Sequence, residues 1–295
     1  MTQRGELFRE LPVDEKPVTN PIFKPTADYP VPWKDEIDYE VLGPLKFESV
    51  GGFSETAFYH KASKTLLTTD VVVSVTKTPP PIIQEDPRAL LFHARNDASE
   101  ILEDTPEVRE RGWRRMVQFG LVFFPSQINV VPAGEALKQA REVPASMSNL
   151  GDGAVPLKLY PWTWNGDNDS VNFDAISENG KLFCPPILTK LILDREPRAT
   201  LDFVDRVCIR FADMERLIPC HLNNNVKASA ADFRQAFDCL RSSPDNVIPQ
   251  RPLPEDLALL QKASDLLTDL HVVGPSSVCD GEPARIRGRF AASNQ

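Results

Sequence analysis

Residues 55–75, ETAFYHKASKTLLTTDVVVSV, constrain the fold more than any other stretch, because their pattern is β from end to end. Residues 55–60 and 65–75 are rich in Thr, Val, Tyr, Phe and Leu, and the polar Lys61-Ala62-Ser63-Lys64 between them suits a hairpin connection. Val71-Val72-Val73 shows no polar alternation, so the second run is predicted to be a buried strand covered on both faces. Asp70 interrupts that apolar run. A carboxylate there is costly unless it is paired, capped or bound to a metal, which makes Asp70 the first functional candidate.

Residues 38–42 and 45–50 read as short strands separated by Gly43-Pro44, and Gly51-Gly52 turns the chain into the hairpin. Four consecutive strands in one sheet are expected. Beyond Pro79-Pro80-Pro81, Asp86-Pro87 opens a helix, and Thr105 with Pro106 starts a longer one. Its stripe of Trp113, Met116, Val117, Gly120, Leu121 and Phe124 is predicted to pack on the sheet. Arg109, Arg111, Arg114 and Arg115 lie among Glu103, Asp104, Glu107 and Glu110, so that face reads as solvated mixed charge rather than a phosphate site. Residues 129–186 read as a loop-rich insertion. Asp167 and Asp169 in its Trp162-to-Asp169 cluster form only part of a calcium loop, and Trp162 and Trp164 read as pins to the core.

Further on, Leu201, Val204, Val207, Cys208 and Phe211 share a helical face, and Leu217-Ile218 leads a short strand into Pro219-Cys220-His221. Ser229 and Asp232 form a capping-box start, and residues 254–271 read as a last amphipathic helix before a loose tail. The domain reading is a proline-rich arm over 1–31, one α/β domain over 32–243, and a linker, helix and tail over 244–295.

Net charge of −9 argues against a nucleic-acid-binding surface spread over the domain, and no stretch is apolar for long enough to span a bilayer. Five cysteines without a CxxC pair, behind an N-terminus that has no apolar run, suggest reduced thiols in an intracellular compartment. Cys220 beside His221 raises the question of a thiol nucleophile, but neighbours on an extended chain point to opposite faces.

ETAFYHKASKTLLTTD, with PWKDEIDYEVLG (32–43), DPRALLFHARND (86–97), RGWRRMV (111–117) and RLIPCH (216–221), resembles the domain of unknown function 4336 family of cyanobacteria and plastid-bearing eukaryotes. That family in turn resembles the metallo-β-lactamase superfamily. The resemblance implies a layered α/β sandwich, incomplete on its N-terminal side, and admits a plastid location. By position in the matched motifs, Asp70 resembles the metal-bridging aspartate and His221 the last metal-binding histidine of such enzymes. The HxHxDH loop is absent, a histidine expected near residues 51–54 is absent, and Glu55 is the nearest oxygen ligand.

Zinc is the metal the resemblance implies, and a catalytic zinc needs about three protein ligands and an open position. Only Asp70 and His221 are family-matched; His60, His93 and His271 read as structural or exposed. Two readings of the pair stand open: a polar pair left at the sheet edge, or a working metal site. The chain is accordingly expected to be a catalytically silent binding or assembly module, with a metal-dependent hydrolase completed by ligands from elsewhere as the alternative. Asp70 and His221 should share one rim of the sheet. The sheet is expected to keep an unpaired edge, open to self-association or to a protein partner unless the arm covers it.

Overall fold

The computed structural model describes residues 33–49, 51–142, 159–165, 169–241 and 253–279. The predicted proline-rich arm, Asp167 and the tail beyond Cys279 lie outside the described residues. In chain order the elements begin β1 (Ile37–Lys46), β2 (Gly52–His60), β3 (Thr65–Thr68), α1 (Pro81–Glu85), α2 (Arg88–Ala94), α3 (Pro106–Val122), β4 (Ile128–Val130) and α4 (Ala133–Glu142). They continue β5 (Trp162–Trp164), α5 (Asp169–Ser177), α6 (Pro186–Leu191), α7 (Pro197–Arg210), β6 (Arg216–Pro219), β7 (Val226–Lys227), α8 (Ala230–Gln235) and α9 (Ala258–Asp269). The result is a mixed α/β fold on a five-stranded sheet of order β1-β2-β3-β6-β7.

The hairpin forms where its residues predict, with Phe58 opposite Leu67 and His60 opposite Thr65. Three strands rather than four precede the first crossover. Residues 38–42 and 45–46 belong to the single strand β1, which stays paired to β2 through an irregularity between Leu42 and Leu45. The 65–75 run is corrected as well, since the strand ends at Thr68. Residues 71–75 are all buried, but outside the sheet, as an extended segment that exchanges two backbone hydrogen bonds with Phe183 at Val73 (2.9 and 3.0 Å). It runs between two cores: Val71 and Val72 belong to the sheet-side core, Val73 and Val75 to a second, helical one. Burial on both sides produces the same unbroken apolar run as a central strand does.

Along β2, Glu55, Ala57 and Tyr59 face the sheet-side core, as a two-residue period requires. α7 closes that core with Leu201, Phe203, Val204 and Val207, and α8, started by the predicted Ser229–Asp232 capping box, adds Phe233. The opposite face carries the Trp33–Tyr39–Phe58 ring cluster. α7 also occupies the outer edge of β1. Arg210 and Arg206 donate to the carbonyls of Tyr39 and Val41, and Glu196 accepts from the N–H of Lys46. The edge expected to be bare is therefore covered at these three groups by side chains.

Helix α3 begins at Thr105 and Pro106, as read from sequence, with the Thr105 hydroxyl accepting from the N–H of Val108. It does not pack on the sheet. Trp113, Val117 and Leu121 join Val73, Val75, Leu90, Phe173 and Ile176 in the second core. Gly112 permits close approach to α2, because a Cβ there would lie 1.9 Å from the Leu90 carbonyl oxygen. α9 seals this core with Leu260, while Leu270, within the predicted 254–271 helix, is exposed. Trp162 and Trp164 are buried on β5, which pairs with β4.

Arg115 overturns the solvated-face reading. It is fully buried, donates to the carbonyls of Ala94 (2.8 Å) and Arg95 (3.0 Å) and to Asn96 Oδ1 (2.8 Å), and stacks over the Trp164 ring. Its three arginine neighbours do form mixed-charge pairs, with Asp104, Glu100 and Asp169. Asp169, in the cluster that resembles part of a calcium loop, is buried at the start of α5.

Candidate functional site

β3 and β6 are parallel neighbours in register, with Thr68 opposite Pro219. Two parallel strands that end together place their following loops on one rim, the usual place for a ligand on a sheet of this kind. Asp70 lies two residues past Thr68, and His221 two past Pro219. The structure brings them into contact: His221 Nε2 is 2.8 Å from Asp70 Oδ1, with the side chains 64% and 51% exposed. The two loops are also stitched together, because Cys220 N–H donates to the Thr68 carbonyl and Asn223 N–H to the Ser74 carbonyl.

Glu55 holds the Asp70 turn from below. Its buried carboxylate accepts from the backbone N–H groups of Thr69 (2.9 Å), Asp70 (3.0 Å) and Val71 (3.0 Å). Burial raises its pKa, and the three N–H bonds oppose that shift. Glu55, read from sequence as the nearest oxygen ligand, instead fixes the turn with both carboxylate oxygens. Opposite it, Leu222 adopts a left-handed φ of +65°, a conformation that a branched side chain rarely takes and that recurs at ligand clamps.

Behind the pair lies a cavity of about 490 Å³, within the range of small-molecule sites. Its walls are Val73 from the buried segment, Met116 and Leu121 from α3, Ile187 and Leu191 from α6, and Leu222. Among the described residues, Asp70 and His221 are its only charged or titratable lining residues. Gly120 opens one wall, since a Cβ added there meets nothing within 4 Å. Met116 and Gly120 had been read as sheet-packing stripe; a glycine within such a stripe is the one local sign that a helix face does not close.

The remaining candidates are elsewhere. His60 Nδ1 lies 2.7 Å from Ser63 Oγ at the hairpin, and His271 faces Glu48 at the end of α9. His93 sits among Phe92, Phe119 and Trp162, where burial lowers its pKa to about 4. Cys220 is exposed, while His221 turns its Nε2 to Asp70, so the structure does not assemble a Cys–His nucleophile.

A family model described as a domain of unknown function, DUF4336, matches residues 11–239, which include both rim loops. The chain belongs to the DUF4336 family. No curated protein and no solved structure matches it. No helix of this DUF4336 chain, among the described residues, is long and apolar enough to cross a membrane.

Zinc does not fit the DUF4336 rim as it stands. Among the described residues, no three or more His, Cys, Asp and Glu side chains are grouped to hold a metal ion. Asp70 and His221 supply two donors, and each is already turned to the other. Glu55, the nearest third carboxylate, has both oxygens engaged by backbone N–H groups. A zinc held by two such residues would keep mostly water ligands and gain little over bulk hydration.

Proposed function

We propose that this DUF4336 protein is a catalytically silent binding module of metallo-β-lactamase-like ancestry, taking a small molecule with an apolar body. The observation that carries the reading is the 490 Å³ apolar cavity whose titratable groups, among the described residues, are Asp70 and His221. An open cavity with apolar walls gains free energy from burying a ligand's apolar surface, at about 25 cal/mol per Å² before the costs of association. Strand addition is the less favoured kind of binding, because Tyr39, Val41 and Lys46 on the outer edge of β1 are already bonded to α7 and Glu196.

The test is saturable binding of a neutral apolar fluorophore, N-phenyl-1-naphthylamine, to the native chain and to Gly120→Leu, which adds bulk at a residue lining the cavity. The reading predicts saturable binding that Gly120→Leu abolishes; equal binding by both would remove it. Retention of one or two equivalents of zinc after exhaustive dialysis, lost in both Asp70→Ala and His221→Ala, would instead favour a metal-dependent hydrolase with ligands supplied by another segment or a partner.

A further inference from the structure

We infer that the ligand's polar end is a cationic hydrogen-bond donor, so that the cavity takes an amphiphilic amine with its chain inside and its ammonium at Asp70. This rests on the reading of the cavity as a ligand site. The rim has a definite polarity. His221 Nε2 faces Asp70 Oδ1 at 2.8 Å, and in a neutral imidazole the nitrogen that donates leaves the other, Nδ1, with the lone pair.

Both rim atoms left over are therefore acceptors: Asp70 Oδ2 and His221 Nδ1, neither of which has a partner among the described residues. A cationic donor satisfies Asp70 Oδ2, while His221 Nδ1, whose lone pair points away from Asp70, is left to solvent. A carboxylate or phosphate head satisfies neither, and would bring negative charge against Asp70. Among the described residues no Lys or Arg lines the cavity to offset that repulsion, and the second carboxylate, Glu55, lies directly beneath the turn that carries Asp70. A charge-assisted bond from an ammonium to Asp70, formed beside apolar walls, is stronger than the same bond from a neutral alcohol. A primary alkyl amine is the simplest molecule with these properties.

The experiment is calorimetric titration of the full chain with decan-1-amine, decan-1-ol and decanoate, below their micelle concentrations and at neutral pH. Affinity should fall from amine to alcohol to carboxylate, by about fivefold or more at each step. In Asp70→Asn the ratio of amine to decanoate affinity should collapse towards one. Equal binding of all three, tighter binding of decanoate, or an unchanged ratio in Asp70→Asn would overturn the cationic head while leaving the cavity a ligand site. Failure of all three to bind saturably would overturn the cavity reading and the head assignment with it.

Discussion

Arg115 and the Asp70–His221 pair both set charge beside apolar surface, but the first is enclosed and the second is open. The Arg115 guanidinium makes three hydrogen bonds to residues 94–96 and lies on Trp164, so its charge ties α2, α3 and β5 together. Among the described residues the side chains of Asp70 and His221 bond each other alone, at the rim of an apolar-walled cavity. A charge whose partners are all within the fold serves architecture; one that keeps an acceptor at the rim of an apolar hollow is placed for something from outside.

Substitution at the two places should separate them most widely. Arg115→Met takes the Arg115 donors from the Ala94 carbonyl and Asn96 Oδ1, while the Arg95 carbonyl keeps its bond from the Tyr160 hydroxyl, and should destabilise the fold by about 3–5 kcal/mol in urea titration. Asp70→Asn and His221→Gln should each stay within about 0.5 kcal/mol of the native chain, because an exposed pair adds little. A rim variant as costly as Arg115→Met would break the contrast.

The enclosed region should also titrate. Burial lowers the His93 pKa from its ordinary 6.5 to about 4, so the folded state favours the neutral ring. The unfolded chain then binds the proton more readily between those values, and stability present above pH 6.5 is lost as the pH falls towards 4. Between pH 7 and pH 4.5 the native chain should lose about 2–3 kcal/mol that His93→Phe does not lose. Equal acid sensitivity in both would place the ring in water.

Glu55 stands between the two cases, a buried carboxylate that serves the open site. Glu55→Gln turns an amide N–H₂ towards backbone donors and should cost about 1–3 kcal/mol in thermal or urea unfolding. Its effect should extend to ligand affinity, which a purely architectural residue such as Arg115 has no direct route to change. An effect of the opposite sign is expected at Gly120→Leu. Replacing a helical glycine gains about 0.5–1 kcal/mol, so lost ligand binding would come with an unchanged or slightly raised melting temperature.

How much of this was legible follows from where each signal lies. The hairpin, the Thr105 and Ser229 caps and the strand before His221 are local, and each formed where its own residues predict. Asp70 and His221 could be paired because both follow strand ends in family-matched motifs. Residues 71–75 misled, because an apolar run records that both sides are buried and not whether they are buried in a sheet. Arg115 misled for a related reason: the counting of charges along a helix cannot see Trp164 or the 94–95 carbonyls arriving from other elements. The cavity was illegible because its walls come from four separate segments, and only Gly120 left a local trace.

The most direct test of the cavity uses methionine methyl groups. Met116 lines the cavity, whereas Met214 is buried in the sheet-side core and serves as an internal control. In a chain labelled with ¹³C at the methionine methyls, titration with decan-1-ol should move the Met116 resonance along a saturable curve and leave that of Met214 in place. A stationary Met116 signal, or equal movement of both, would contradict a ligand site beneath Asp70 and His221.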